Sequence, residues 1–164
     1  MNMNMNNTGT ISAEREHATL RVAVRDDLPA IESLLGVSKL PYSGVESAIG
    51  HFLVAEADGE LIGAIGLELY GSAALLRSAV IADSMRGRGL GGELVNAIMQ
   101  VASDHGVKQL FLLTTTAENY FPRFGFARTT RADVPETVKQ SVEFRGACPD
   151  SAIVMVRDIS SPSR

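Results

Sequence analysis

An apolar run from Ala73 to Ala82 leads through Asp83–Arg86 into Gly87-Arg88-Gly89-Leu90-Gly91-Gly92, and an apolar-periodic stretch begins at Leu90. No other feature constrains the fold as much. A strand must arrive, a helix must leave, and the glycines between them allow backbone turns closed to residues with a Cβ. Leu90, Leu94, Ile98 and Ala102 recur on one helical face, and Gly106 ends the stretch with His105 at its negative pole. The first turn of such a helix offers unpaired N–H groups and the positive end of its dipole, which suits an oxyanion such as a pyrophosphate. Arg86 and Arg88 bring positive charge to the same place.

The flanking elements follow from periodicity and turn chemistry. Thr19 to Val24 alternates as a strand, and Asp26-Asp27 with Pro29 opens an amphipathic helix to about Leu35, stopped by Gly36. His51–Ala57 and Leu61–Tyr70 read as a hairpin around Asp58-Gly59, and Ala73–Ala82 follows as a third antiparallel strand after Gly71-Ser72. Lys108–Thr114 returns as a buried strand, so the strand–helix–strand crossover adds a parallel pair and makes the sheet mixed. A short helix is expected over Ala117–Phe124 despite Pro122, and Asp133 with Glu136 resembles a capping box opening another. Ser151–Arg157 closes an α/β (α+β) fold whose mixed sheet has about six or seven strands.

At 164 residues the chain suits one domain, expected over 19–159 between a disordered lead at 1–18 and a tail at 160–164. A formal net charge of −4 argues against a nucleic-acid partner. No run approaches the ~18 apolar residues of a membrane span. Met1–Asn7 lacks the basic start and apolar core of a signal peptide. The single cysteine, Cys148, cannot form an internal disulfide and suits a reducing, cytoplasmic setting. Alone it is also a poor soft-metal site, and His17, His51 and His105 show no ligand spacing, so no metal is expected.

Two phosphate-binding patterns overlap in the glycine-rich stretch. Gly87, Gly89 and Gly92 satisfy G-x-G-x-x-G, but that dinucleotide fingerprint wants its first glycine right after the strand and a carboxylate at the tip of the next one. Asp83–Arg86 intervene, and the next strand ends in Leu113-Thr114. Arg86, Gly89 and Gly91 also fit Q/R-x-x-G-x-G/A, and Thr114, Ala117, Phe121 and Gly125-Phe126 follow at matching spacing. In this the chain resembles the GNAT superfamily of N-acetyltransferases, over roughly Leu20 to Arg157. That resemblance implies the GNAT fold, a short helix before His51, acetyl-CoA as donor and a small-molecule amine as acceptor. It leaves a homodimer open.

By the same resemblance, acetyl-CoA lies where two parallel strands splay. Its pantetheine arm pairs with the main chain of Ala79, Val80 and Ile81, and its pyrophosphate rests on Arg86, Gly87, Arg88, Gly89, Leu90, Gly91 and Gly92. Thr114 stands where relatives carry Asn, and Phe121 where they carry the Tyr that protonates the departing thiolate. Tyr120, one residue earlier, is the candidate acid, although the step turns its side chain by ~100°. Glu68 is the candidate base, on a strand near the turn into the cofactor strand.

Arg77 interrupts an apolar strand and shares an alternating face with Leu75, Ala79 and Ile81. It is either a clamp for a substrate carboxylate or one half of an internal salt bridge with Glu68. Gly66-Leu67-Glu68, Leu75-Leu76-Arg77-Ser78, Leu112–Thr116, Glu143-Phe144-Arg145 and Cys148-Pro149 look like the arsenic-resistance N-acetyltransferases of the ArsN type. Some of those are understood to acetylate arsinothricin or phosphinothricin, which are glutamate-like toxins. Two rivals stay open, a dinucleotide-dependent oxidoreductase and a catalytically idle acyl-CoA sensor.

Overall fold

The computed structural model describes residues 18–159, so the expected lead through His17 and the tail from Ser160 lie outside the described residues. The strands are β1 (Thr19–Val22), β2 (Phe52–Ala57), β3 (Glu60–Tyr70), β4 (Ala73–Ile81), β5 (Gln109–Thr114), β6 (Ala127–Thr129) and β7 (Ile153–Asp158). They form a seven-stranded mixed sheet in the order β1-β2-β3-β4-β5-β7-β6. Only β4 and β5 pair in parallel. The β2–β3 turn carries positive φ at both Asp58 (55°) and Gly59 (79°), the handedness that lets two twisted strands close on a tight turn.

Among the described residues two α-helices cover the sheet, α1 (Leu28–Val37) and α2 (Leu90–Asp104). Helix α2 buries Leu90, Leu94, Val95, Ile98 and Ala102 against Leu53, Ile65, Leu67 and Leu76. Large apolar side chains buried this way contribute about 1.5–3 kcal/mol each, so α2 is fixed to the sheet along its length. Helix α1 sets Ile31 and Leu35 into a second cluster with Phe52, Val54, Ala64 and Val80. A third cluster joins Leu75 and Phe111 to Val134 and Val138.

The sheet opens along one seam. On β3 the register advances two residues, from Ala64 to Gly66, while its partners on β4 advance three, from Val80 back to Arg77. The extra residue makes a β-bulge, and Ser78 there holds a left-handed φ of 62°. The parallel ladder to β5 covers only Ala73–Leu75, and β5 from Leu112 to Thr114 pairs with β7 alone. Beyond Leu75, therefore, β4 and β5 diverge. The bulge also overturns the strict alternation expected of β4. Past it Val80 joins the cluster under α1 and Ile81 packs toward α2, so Arg77 and Ile81 do not share a face.

Several short elements differ from their sequence reading. Helix α1 runs through Gly36 to Val37 before Lys39 turns the chain with φ 59°. The short helix expected over Ala117–Phe124 is a 3₁₀ turn over Phe121–Phe124, because Pro122 sits in its first turn and Gly125 closes it at φ 90°. Asp133 caps nothing downstream, since its carboxylate accepts from the Thr129 and Thr130 hydroxyls, both at 3.1 Å. The helix before His51 is a 3₁₀ stretch over Glu46–His51, and β6, only three residues long, carries too little pattern to be read.

Gly66 lies opposite Arg77 on β3, and a Cβ there would overlap the Phe52 ring. Because Phe52 is fully buried and cannot swing aside, Gly66→Ala should destabilise the fold by about 1–3 kcal/mol. Urea unfolding should show this as a lower midpoint at unchanged slope.

Candidate active site

The divergence of β4 from β5 creates a cleft of about 880 Å³ that reaches from the Gly87–Gly92 loop to residues 38–41 and 143–149. Its floor is backbone. Ser78 and Ala79 have no partner in the ladder to β3 or in the ladder to β5, and Ala79 is exposed with only a methyl group above it. An extended ligand arm can reach these main-chain groups without displacing a side chain, as in strand addition.

At one end, Gly87 (φ 80°) and Gly89 (φ 82°) turn the chain into α2, with Gly89 as its N-cap. The first helical return bond runs from Glu93 N–H to the Gly89 carbonyl at 3.2 Å, so the amides of Leu90, Gly91 and Gly92 precede the helical ladder. No atom comes within 4 Å of a Cβ built at Gly87 or Gly89, which leaves open space over the loop. Arg86 pairs with Asp83 at 3.1 Å on the surface. Open amides, glycine turns and an unobstructed approach fit a diphosphate at the helix start.

Across the cleft, Thr114 ends β5 and its hydroxyl accepts the Ala117 N–H at 2.9 Å, which ties down the turn leaving the strand. Tyr120 and Phe121 then part company. Phe121 is buried and packs edge-on against Phe126 at 5.7 Å between ring centroids. Tyr120 stays on the cleft wall, and its hydroxyl oxygen would lie 2.8 Å from a Cβ at Gly91, so a larger residue there would push the hydroxyl from its place. Partial burial raises the Tyr120 pKa, with the Arg123 guanidinium 4.6 Å above the ring acting against it, so the phenol keeps its proton at neutral pH.

The other end of the cleft holds a buried ionic network. The Arg77 side chain is fully buried and pairs with Glu68 at 2.7 Å through Nη1. Its Nε donates to Ser78 Oγ at 3.0 Å and lies 3.4 Å from Glu143 Oε2, while Nη2 donates to the Pro41 carbonyl at 3.3 Å. Gly44 makes this packing fit, since a Cβ there would stand 3.0 Å from Arg77 Nη1. Tyr70 donates its hydroxyl proton to Glu68. Of the two roles open for Arg77, the salt bridge with Glu68 is the one this arrangement contains. Glu68 itself does not line the cleft.

Glu143, which the sequence reading did not single out as a site residue, does line it. Burial lifts its pKa to about 7, Arg77 opposes that shift, Glu68 adds to it, and a hydrogen bond from the Cys148 thiol opposes it. The Cys148 thiol is itself pushed up to about 12, first by burial and then by the Glu143 charge. Glu143 was hard to find from sequence because it sits on a wide turn, Glu143–Ala147, with no helical or strand period. Among the described residues no group of three or more His, Cys, Asp or Glu could hold a metal ion, and no helix is long and apolar enough to cross a membrane.

Comparison with known proteins places this cleft in context. Residues 48–128 match the family model for the acetyltransferase (GNAT) domain. An uncharacterized N-acetyltransferase of Chlorobaculum tepidum is 30% identical over 117 residues, 67% of this chain and 75% of that protein. The amino-acid acetyltransferase of Pasteurella multocida is 26% identical over 84% of this chain. The chain spans about a third of that relative's length, 33%. Among solved structures, N-acetylglutamate synthase from Neisseria gonorrhoeae, complexed with coenzyme A and N-acetyl-glutamate, superposes with a TM-score of 0.75 at 23% identity. The match covers 87% of this chain and 35% of that one, and it shows a shared fold.

Gly89→Val tests the loop. The left-handed φ costs a residue with a Cβ about 1–2 kcal/mol, which the free loop can shed by relaxing and ligand binding must restore. Calorimetry should find coenzyme A bound about tenfold more weakly, with circular dichroism unchanged.

Proposed function

The chain belongs to the GNAT family of acetyl-CoA-dependent N-acetyltransferases, and from that premise we propose that it acetylates the α-amine of an amino acid or an amino-acid-like molecule. The observation that carries this is a single cleft with an open β4 backbone and glycine loop at one end and a compact pocket of charged groups at the other. At that second end Lys39 and Glu143 offer charges of both signs, which suits a small zwitterion. The amino-acid acetyltransferase relatives support the same acceptor class.

In this reading the amides of residues 87–92 and the Arg86 and Arg88 side chains take the pyrophosphate, and the main chain of Ala79, Val80 and Ile81 takes the pantetheine arm. The bound donor supplies an acetyl thioester. Main-chain N–H groups at the bulge then stand where negative charge grows on its carbonyl oxygen. Tyr120, which lines the cleft and carries the hydroxyl that Phe121 lacks, takes the part of proton donor to the leaving sulfur. Thr114 holds the turn that presents it.

We carry the acceptor one step further, to a glutamate-like toxin such as arsinothricin or phosphinothricin and a link to arsenic resistance. The support is the ArsN-type resemblance, together with Lys39 on the cleft lining, a cation for a substrate carboxylate. Arg77, held on several sides by its own protein, is left to shape the pocket. The idle-sensor alternative loses ground because two proton-carrying side chains, Tyr120 and Glu143, line the cleft.

Release of free CoA thiol decides the matter when acetyl-CoA is offered with a panel of amino acids that includes glutamate, phosphinothricin and arsinothricin. At least one should react with kcat/KM of about 10⁴ M⁻¹s⁻¹ or more. Binding of acetyl-CoA with no thiol released from any amine would contradict the proposal.

A further inference from the structure

We propose that Glu143 receives the acceptor's ammonium group and takes its proton, with Arg77 as a positioning residue behind it; this rests on the amino-acid acetyltransferase reading above. The expected base, Glu68, does not line the cleft, whereas Glu143 stands on the cleft wall in the same network.

The network is built with a deficit of positive charge. Glu68 holds Arg77 Nη1 at 2.7 Å, and Tyr70 donates to the other oxygen of the same carboxylate. Glu143 is left with a longer contact, 3.4 Å, to an Nε that already donates to Ser78 Oγ. One guanidinium therefore faces two carboxylates, a formal balance of +1 − 2 = −1 when both are ionised. A buried carboxylate in this position is stabilised by a further cation, and the open side of Glu143 is the cleft. A primary ammonium has the charge, size and donors to fill it.

The backbone fixes where the carboxylate points. Ser141 Oγ accepts the Glu143 N–H at 3.1 Å and locks the start of the turn, and the turn then brings Cys148 back within hydrogen-bonding reach of the Glu143 carboxylate. The groups bearing on Glu143 are Arg77 from β4, Glu68 and Tyr70 from β3, and Ser141 and Cys148 from its own loop, with Arg131 acting on Cys148. Because the thiol stays protonated to about 12, it remains a donor beside the carboxylate throughout the working range. Glu143, lifted to about 7, sits where a base is both ionised and able to hold a proton.

The reaction then balances. One ammonium proton passes to Glu143 and on to solvent. The freed nitrogen lone pair forms the C–N bond to the thioester carbonyl carbon, the C–S bond breaks, and the sulfur leaves with that electron pair. Tyr120 gives its proton to that sulfur to complete the CoA thiol, and the second amine proton restores the phenol.

The sign of the pH dependence follows. Below about 7 Glu143 already holds a proton and accepts none, so kcat/KM should rise with pH through about 7 and then level off. Glu143→Gln should lower kcat about 10²–10⁴-fold for the best amine of the panel, abolish that limb, and leave acetyl-CoA affinity by calorimetry unchanged. Cys148→Ala removes a donor that favours the ionised carboxylate, so it should move the limb to higher pH. In the ligand-free wild type, the ¹³C carboxyl resonance of Glu143 should titrate near neutrality, which requires neither an acceptor nor a folded variant. An unaltered kcat in Glu143→Gln, a limb unmoved by Cys148→Ala, or a Glu143 resonance titrating like an exposed carboxylate each overturns the proposal. Those results differ from failure of the acetyltransferase reading, in which the wild type releases no CoA with any amine.

Discussion

One extra residue in β4 does most to shape this molecule. At Ser78 the strand gains a residue that β3 does not match, the backbone enters the left-handed region, and the parallel ladder to β5 stops at Leu75. A sheet that pairs fully has no room for a ligand between its strands. Here β5 keeps its bonds to β7, so the sheet stays whole while its centre opens. Tight packing of α2 on one face and α1 on the other resists closure of that gap, since bringing β4 back onto β5 would pull Val80 and Ile81 out of their clusters.

The bulge also turns the charged network toward the cleft. Arg77 is the last β4 residue before it, and Ser78 takes one of its hydrogen bonds. Burying a guanidinium would cost several kcal/mol without partners. Glu68, Glu143 and the Pro41 carbonyl supply them from three different segments. The same pairing therefore holds the 38–50 segment and the loop before β7 against the sheet, and so shapes the acceptor end. Stability and chemistry share one cluster, and the strained residue beside it lies where the site is.

Most of the frame was legible because it depends on period and turn chemistry. The Asp58-Gly59 hairpin, the α2 face and the crossover into β5 each have a local cause that a sequence displays. Strand β4 shows the limit. Its alternation predicts one face for Leu75, Arg77, Ala79 and Ile81, and a bulge, whose cost is set by tertiary packing, shifts the last two out of phase. The glycine loop was equally visible, with glycines at the positions of positive φ. Glu143 was not, because a residue on an aperiodic turn acquires its character only from what folds against it, here Arg77 from a strand far away in the chain. The contrast between Tyr120 and Phe121 was likewise hidden. The 3₁₀ turn with Pro122 in its first turn leaves Tyr120 only partly buried while Phe121 packs against Phe126, and that difference comes from tertiary contacts.

The central claim is that the gap opened by the β4 bulge seats acetyl-CoA between the Ala79–Ile81 backbone and the amides of residues 87–92. A crystal structure of the acetyl-CoA complex tests it most directly. The diphosphate should lie within hydrogen-bond distance of the Gly87–Gly92 amides, with the thioester over the bulge and facing Glu143. Acetyl-CoA bound on another face, or a cleft closed by β4 re-pairing with β5, would contradict the account.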